Sequence, residues 1–164
     1  MIMEESAVNP LYLASNVPSP GREHRRRNRR HRWSQQDDFE LPHHPEAAAF
    51  ARERTRDILD RWRVDGDAAH LVLLVVSELV ANAVCHAKPQ VTVRVSRGWA
   101  AGGPVVQIDV ADGGPLPPQE SAVPPEGDME ERGRGLMVVE AICLESGMRQ
   151  ASGRHMRWAI VSVP

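Results

Sequence analysis

Glu78 and Asn82 stand four residues apart in the run LVLLVVSELVANAVC, Leu71 to Cys85, and His86 follows at once. At 3.6 residues per turn, the carboxylate, the amide and the imidazole fall along one stripe of a helix. Only Ser77, Glu78 and Asn82 are polar within the run. A segment this apolar should be buried, and a buried carboxylate is costly unless something pairs with it. The stripe therefore faces a cavity, or its polar groups are satisfied by neighbouring backbone. The helix alone leaves both open.

Two more segments carry groups suited to a nucleotide. The apolar stretch VVQIDVA, Val105 to Ala111, runs straight into Asp112-Gly113-Gly114. A carboxylate at a strand end can accept from an exocyclic amine such as that of adenine, and the glycines let backbone approach a ligand. An ordinary Asp-Gly turn has the same sequence. Further on, Arg132-Gly133-Arg134-Gly135-Leu136 precedes the helical pattern LMVVEAICL. Glycines just before a helix expose backbone N–H groups and the positive end of the dipole, which suits phosphate. A flexible hinge is the plainer alternative.

The elements that must position these groups can be read in order. DDFEL, residues 37–41, suits a short edge strand. PEAAAFARERTRDILDRWR, Pro45 to Arg63, reads as a helix opened by proline, with Ala47, Phe50, Arg54, Ile58, Leu59 and Trp62 as its inward stripe. Asp67 suits the N-cap of a second helix reaching about Ala87, and Pro89 ends it. Val91, Val93 and Val95 alternate with polar residues as a strand, and Val105 to Ala111 pairs with it as a hairpin. Residues 112–132 are rich in Gly, Pro and Glu and read as a long functional or mobile loop. A short helix from Gly135 to Leu144 follows, then strands at Glu145–Gln150 and Arg154–Val163. The order β α α β β, loop, α β β disfavours a doubly wound parallel sheet. It fits an α+β two-layer sandwich, a mixed, mostly antiparallel sheet with helices on one face.

The 164 residues carry a formal net charge of −2 and are 41% apolar and 26% charged, which suits one globular domain. No apolar run is read as long enough to span a membrane, and the N-terminus has acids where a leader would carry bases, so a cytoplasmic protein is expected. Cys85 and Cys143 lie in apolar surroundings and are expected to be reduced core residues. No CxxC or HExxH spacing offers a metal site built from protein ligands alone. Residues 1–36 are expected to be a disordered basic tail, with seven arginines between Arg22 and Arg32, ahead of a folded domain at 37–164. An arginine run can bind nucleic acid or an acidic partner. No aromatic beyond Trp33 interleaves with it for base stacking, so nucleic acid is not the expected partner.

Taken in order, ELVANAVCH, DGG and GRGL resemble the N, G1 and G2 boxes of the GHKL ATP-binding superfamily, which includes gyrase, MutL and sensor histidine kinases. The finer likeness is to single-domain bacterial members related to the anti-sigma-factor serine kinases, and the ending GRHMRWAIV resembles their final strand. The resemblance covers about residues 37–164. It implies a Bergerat-type sandwich, ATP as ligand and Mg²⁺ as its cation. It assigns Glu78 as general base, Asn82 as the Mg²⁺ ligand, Asp112 as the adenine-reading carboxylate and Gly114 as a glycine of that box. Gly133, Arg134, Gly135 and Leu136 match the phosphate loop.

The family likeness also implies a serine/threonine protein kinase acting on a small anti-anti-sigma (STAS-type) partner. It further suggests a sigma factor as another partner, and a homodimer. The binding-only alternative is a nucleotide-binding module that sequesters its partner. This chain departs from the pattern at Leu116, where a second G1 glycine often stands. It departs again near Met156, where many members carry a threonine on the adenine side. No helix pair for dimerisation and phosphoacceptance is present, which argues against a sensor histidine kinase.

Overall fold

The computed structural model describes residues 31–114, 128–151 and 153–164. The chain divides into two units, Met1–Arg30 and His31–Pro164, and everything below concerns the second. Residues 1–30 of the tail expected over residues 1–36, and most of the loop expected after Gly114, Leu116 included, lie outside the described residues.

The elements are β1 (Arg32–Leu41), α1 (Ala47–Arg61), α2 (Gly66–His86), β2 (Val91–Ala100), β3 (Gly103–Asp112), α3 (Asp128–Ile142), β4 (Glu145–Ala151) and β5 (Arg154–Ser162). This is the order expected from sequence. The five strands form one sheet in the order β1-β2-β3-β5-β4. Every pairing is antiparallel, so the described sheet has no parallel component. The architecture is the expected α+β two-layer sandwich.

Strand alternation divides the sheet between two environments. Val93, Val95, Val106, Ile108, Val110, Ala159 and Val161 point into the core shared with the helices. Val105, Trp158 and Ile160 form a separate cluster on the opposite face, with Trp33 and Ala100 packed against it. The central helix α2 contributes Val72, Val75, Val76 and Val80, each fully buried, and Leu79. Burying side chains of this size stabilises by roughly 1.5–3 kcal/mol each, so α2 anchors the fold. Its 21 residues are long and apolar enough to cross a membrane by length and composition, contrary to the expectation that no run is. Here it is the core helix between α1, α3 and the sheet.

Three local expectations are corrected. β1 starts at Arg32, upstream of the expected Asp37, because Trp33 lies over Gly98 and Arg94 grips Asp38 with two hydrogen bonds of 2.8 and 2.9 Å. The buried stripe of α1 is Ala47, Ala51, Thr55, Ile58 and Leu59, so Phe50 and Arg54 are exposed. The i, i+4 steps from Ala47 run through small residues and place Phe50 a quarter-turn away. The N-cap of α2 is Asp65 rather than Asp67, with extended backbone and no side-chain cap bond.

Candidate functional site

The polar stripe of α2 opens onto a cleft of about 110 Å³ lined by Glu78, Ala81, Asn82, Cys85, His86, Gly135 and Leu136. Of the two readings left open by sequence, the cavity is what the structure shows. Glu78 and Asn82 are half-buried, while Val76, Leu79, Val80 and Ala83 on the neighbouring faces are buried. The greasy composition thus holds the helix in the core, and its one polar edge meets α3. Cys85 is exposed on this edge and is not the core residue expected from sequence, because it lies three residues after Asn82, on the same side of the helix. Cys143 is half-buried, and burial pushes its thiol up to about 11. His86 lines the cleft one turn beyond Asn82.

Gly135 supplies the opposite wall. A Cβ built there would collide with Glu78 Oε2, so the missing side chain is what lets α3 approach the carboxylate. The helix around Gly135 differs from expectation. α3 begins at Asp128, so Gly133, Arg134, Gly135 and Leu136 lie inside it and not just ahead of it. Only the first four N–H groups of a helix lack an internal acceptor. Gly133–Leu136 therefore do not supply the free N–H groups of this helix's first turn. The preceding Met129-Glu130-Glu131 favours helix and carries it upstream.

Asp112 closes the inner end of β3. It is buried, and its Oδ1 accepts the Gly114 N–H at 2.8 Å. Gly114 has φ 89°, and a Cβ there would run into the Gly153 carbonyl oxygen, so this corner accepts only glycine. Two backbone bonds join the corner to the end of α2. The Lys88 N–H donates to Gly114 O at 2.8 Å, and the Gly113 N–H donates to Lys88 O at 3.3 Å. Arg154 Nε adds a bond to Asp112 O at 3.4 Å. These ties bring Asp112 and Gly114 beside the helix end that carries Asn82 and His86. Asp112 does not line the Glu78–Asn82 cleft itself.

A family model described as a histidine kinase-like ATPase domain matches residues 41–157, a span that includes the stripe, the Asp112 corner and α3. The chain belongs to the histidine kinase-like ATPase domain family. Membership makes ATP the ligand class of the domain. The fold is also similar to a crystal structure of the RsbU and RsbW domains of Rv1364c from Mycobacterium tuberculosis. That likeness has a TM-score of 0.57 at 20% identity, and it covers 79% of this chain and 33% of that one. The chain thus spans a third of the matched chain's length, and the likeness is one of fold. No curated protein sequence matches it.

The donor set of this ATPase domain can be tested against a magnesium nucleotide. Among the described residues no group of three or more His, Cys, Asp or Glu could hold a metal ion. Mg²⁺ takes oxygen ligands and keeps several waters, commonly completing its shell with phosphate oxygens. One amide oxygen from Asn82 in a cleft beside Glu78 fits that mode of binding and does not fit a site made only of protein.

Proposed function

We propose that this ATPase domain is an ATP-binding regulatory protein of the anti-sigma type, which phosphorylates a serine or threonine of a small anti-anti-sigma (STAS-type) partner. The observation that carries the reading is the shared cleft, where Glu78 and Asn82 project from one helix edge and Gly135 leaves room for the carboxylate. The sequence resemblance to anti-sigma-factor serine kinases and the fold likeness to an RsbW domain support it.

In this reading Asp112 accepts from the adenine amine, and Asn82 holds the cation against the phosphates. Mg²⁺ supplies neutralisation of phosphate charge when bound. Glu78 takes the proton from the partner's hydroxyl as its oxygen bonds to the γ-phosphorus. The bond to the β–γ bridging oxygen breaks and ADP leaves. Arg134 is exposed on α3, where it can meet phosphate or partner. The same resemblance suggests a sigma factor as a further partner, a homodimer and the cytoplasm.

The alternative is a module that binds nucleotide and sequesters its partner without transfer. Radiolabelled ATP incubated with the protein and a purified STAS-type partner separates the two. Kinase function requires label on the partner, lost at least a hundredfold in Glu78→Ala while ATP binding persists, in the range expected for removing a general base. Transfer that survives in Glu78→Ala would remove Glu78 from its role. Tight partner binding without label would establish the sequestering module.

A further inference from the structure

A residue outside all three sequence motifs is tied to the Asp112 corner. His43 stands in the connection between β1 and α1. Its Nε2 lies 3.1 Å from the carbonyl oxygen of Ala87, 44 residues along the chain. A carbonyl oxygen only accepts, so Nε2 carries the proton and donates. Ala87 is the C-cap of α2 and has extended backbone, with φ −121° and ψ 163°. Carbonyls at a helix end have no intrahelical partner, so this one depends on a donor from elsewhere.

The bond gains its importance from what shares that peptide group. The Ala87 carbonyl and the Lys88 N–H belong to one planar unit, which turns as a whole. The Lys88 N–H donates to Gly114 O at 2.8 Å. The Gly114 N–H in turn donates to Asp112 Oδ1 at 2.8 Å. One peptide plane is therefore held from both sides, by His43 on its oxygen and by Gly114 on its nitrogen. A hydrogen bond on one side of such a group also polarises and strengthens the bond on the other. The series runs from the imidazole through Gly114 to the buried carboxylate.

We propose that His43 is a positioning residue of the nucleotide site, holding the 87–88 peptide so that the Asp112 corner keeps its shape for the base. The inference rests on the nucleotide reading above and adds a residue to it. His43 does not line the Glu78–Asn82 cleft, so its loss acts on the base side and spares the phosphate side. As a residue it is exposed, so replacing it opens no cavity in the core.

Calorimetric titration of ATP and of ADP, each with Mg²⁺, into the parent chain, His43→Ala and His43→Gln tests this, together with amide hydrogen exchange at Lys88 and Gly114. His43→Ala should weaken both nucleotides by the same factor, roughly threefold to fivefold, the scale of one hydrogen bond. Exchange at the Lys88 and Gly114 amides should quicken while the amides of the core strands keep their protection. His43→Gln, whose amide nitrogen reaches about as far as Nε2, should restore both readouts. Parent-like binding by His43→Ala, faster exchange throughout the chain, weakening confined to ATP, or no recovery in His43→Gln each overturns the positioning role and leaves the nucleotide site standing. A parent chain that binds neither nucleotide removes the nucleotide reading and the His43 role with it.

Discussion

Asp109 shows how one residue can tie stability to pH. It lies on β3, on the sheet face of Trp158, yet it is buried, and Gln107 Nε2 donates to both of its oxygens at 2.8 and 2.7 Å. Burial raises its carboxyl above the ordinary range, and the Gln107 bonds and the charges of Arg149 and Arg94 only partly oppose this. The folded state therefore holds this proton to higher pH than the unfolded chain does. Between the two pKa values the native protein binds more protons, so Asp109 costs stability as pH rises through that window. Asp109→Asn removes the ionisation and keeps one acceptor for Gln107. Its unfolding midpoint at pH 7 is expected to rise by a few degrees, with a shallower decline as pH rises from the ordinary carboxyl value of 3.8 towards 7. Thermal melts of both proteins across that range check it, and a parallel decline would assign the pH dependence to other groups.

At the scale of elements, the contact between α2 and α3 decides what the cleft can do. Gly135 stands inside a helix, where glycine is less favourable than alanine by about 1 kcal/mol. Local propensity alone makes Gly135→Ala stabilising. The added methyl would meet Glu78 Oε2, the far end of a flexible side chain that can swing aside. The two effects oppose, so stability should change by less than about 1 kcal/mol. Under the proposed kinase function, phosphate transfer should fall at least tenfold, because the carboxylate is pushed off its position and a small misplacement is costly to catalysis. Chemical denaturation and the transfer assay together check this. A large loss of stability with no loss of specific activity would mean that Gly135 serves packing alone.

For the whole molecule, the boundary of the folded unit is the feature that most changes how the chain should be handled. His31–Pro164 is one compact unit, and β1 runs from Arg32. Removing residues 1–30 is expected to leave a cooperative unfolding transition and nucleotide binding intact. Removing residues 1–36 strips the Trp33 ring from Gly98 and shortens the pairing with β2. Loss of this partly buried aromatic contact is expected to cost roughly 1–2 kcal/mol. Melting the two truncated chains side by side checks the boundary, and equal midpoints would return it to Asp37.

The sequence by itself determined the order of elements, the sandwich, and the groups on one edge of α2. Periodicity of Val, Leu and Ala and the turn residues between them are local signals, and they carry the pattern of burial with them. Glu78 and Asn82 were legible because a carboxylate and an amide four residues apart stand out in an apolar helix. The start of β1 was not legible, because Trp33 and Arg32 pair with residues far along the chain and have no local strand pattern. The place of Gly133–Leu136 inside α3, the exposure of Cys85 and the pairing of His155 with Asp112 were decided only by the tertiary structure. Each depends on register or on the approach of a second element. A shift of one residue in a strand turns every side chain to the other face, and that choice puts His155 and Met156 on opposite faces of the sheet.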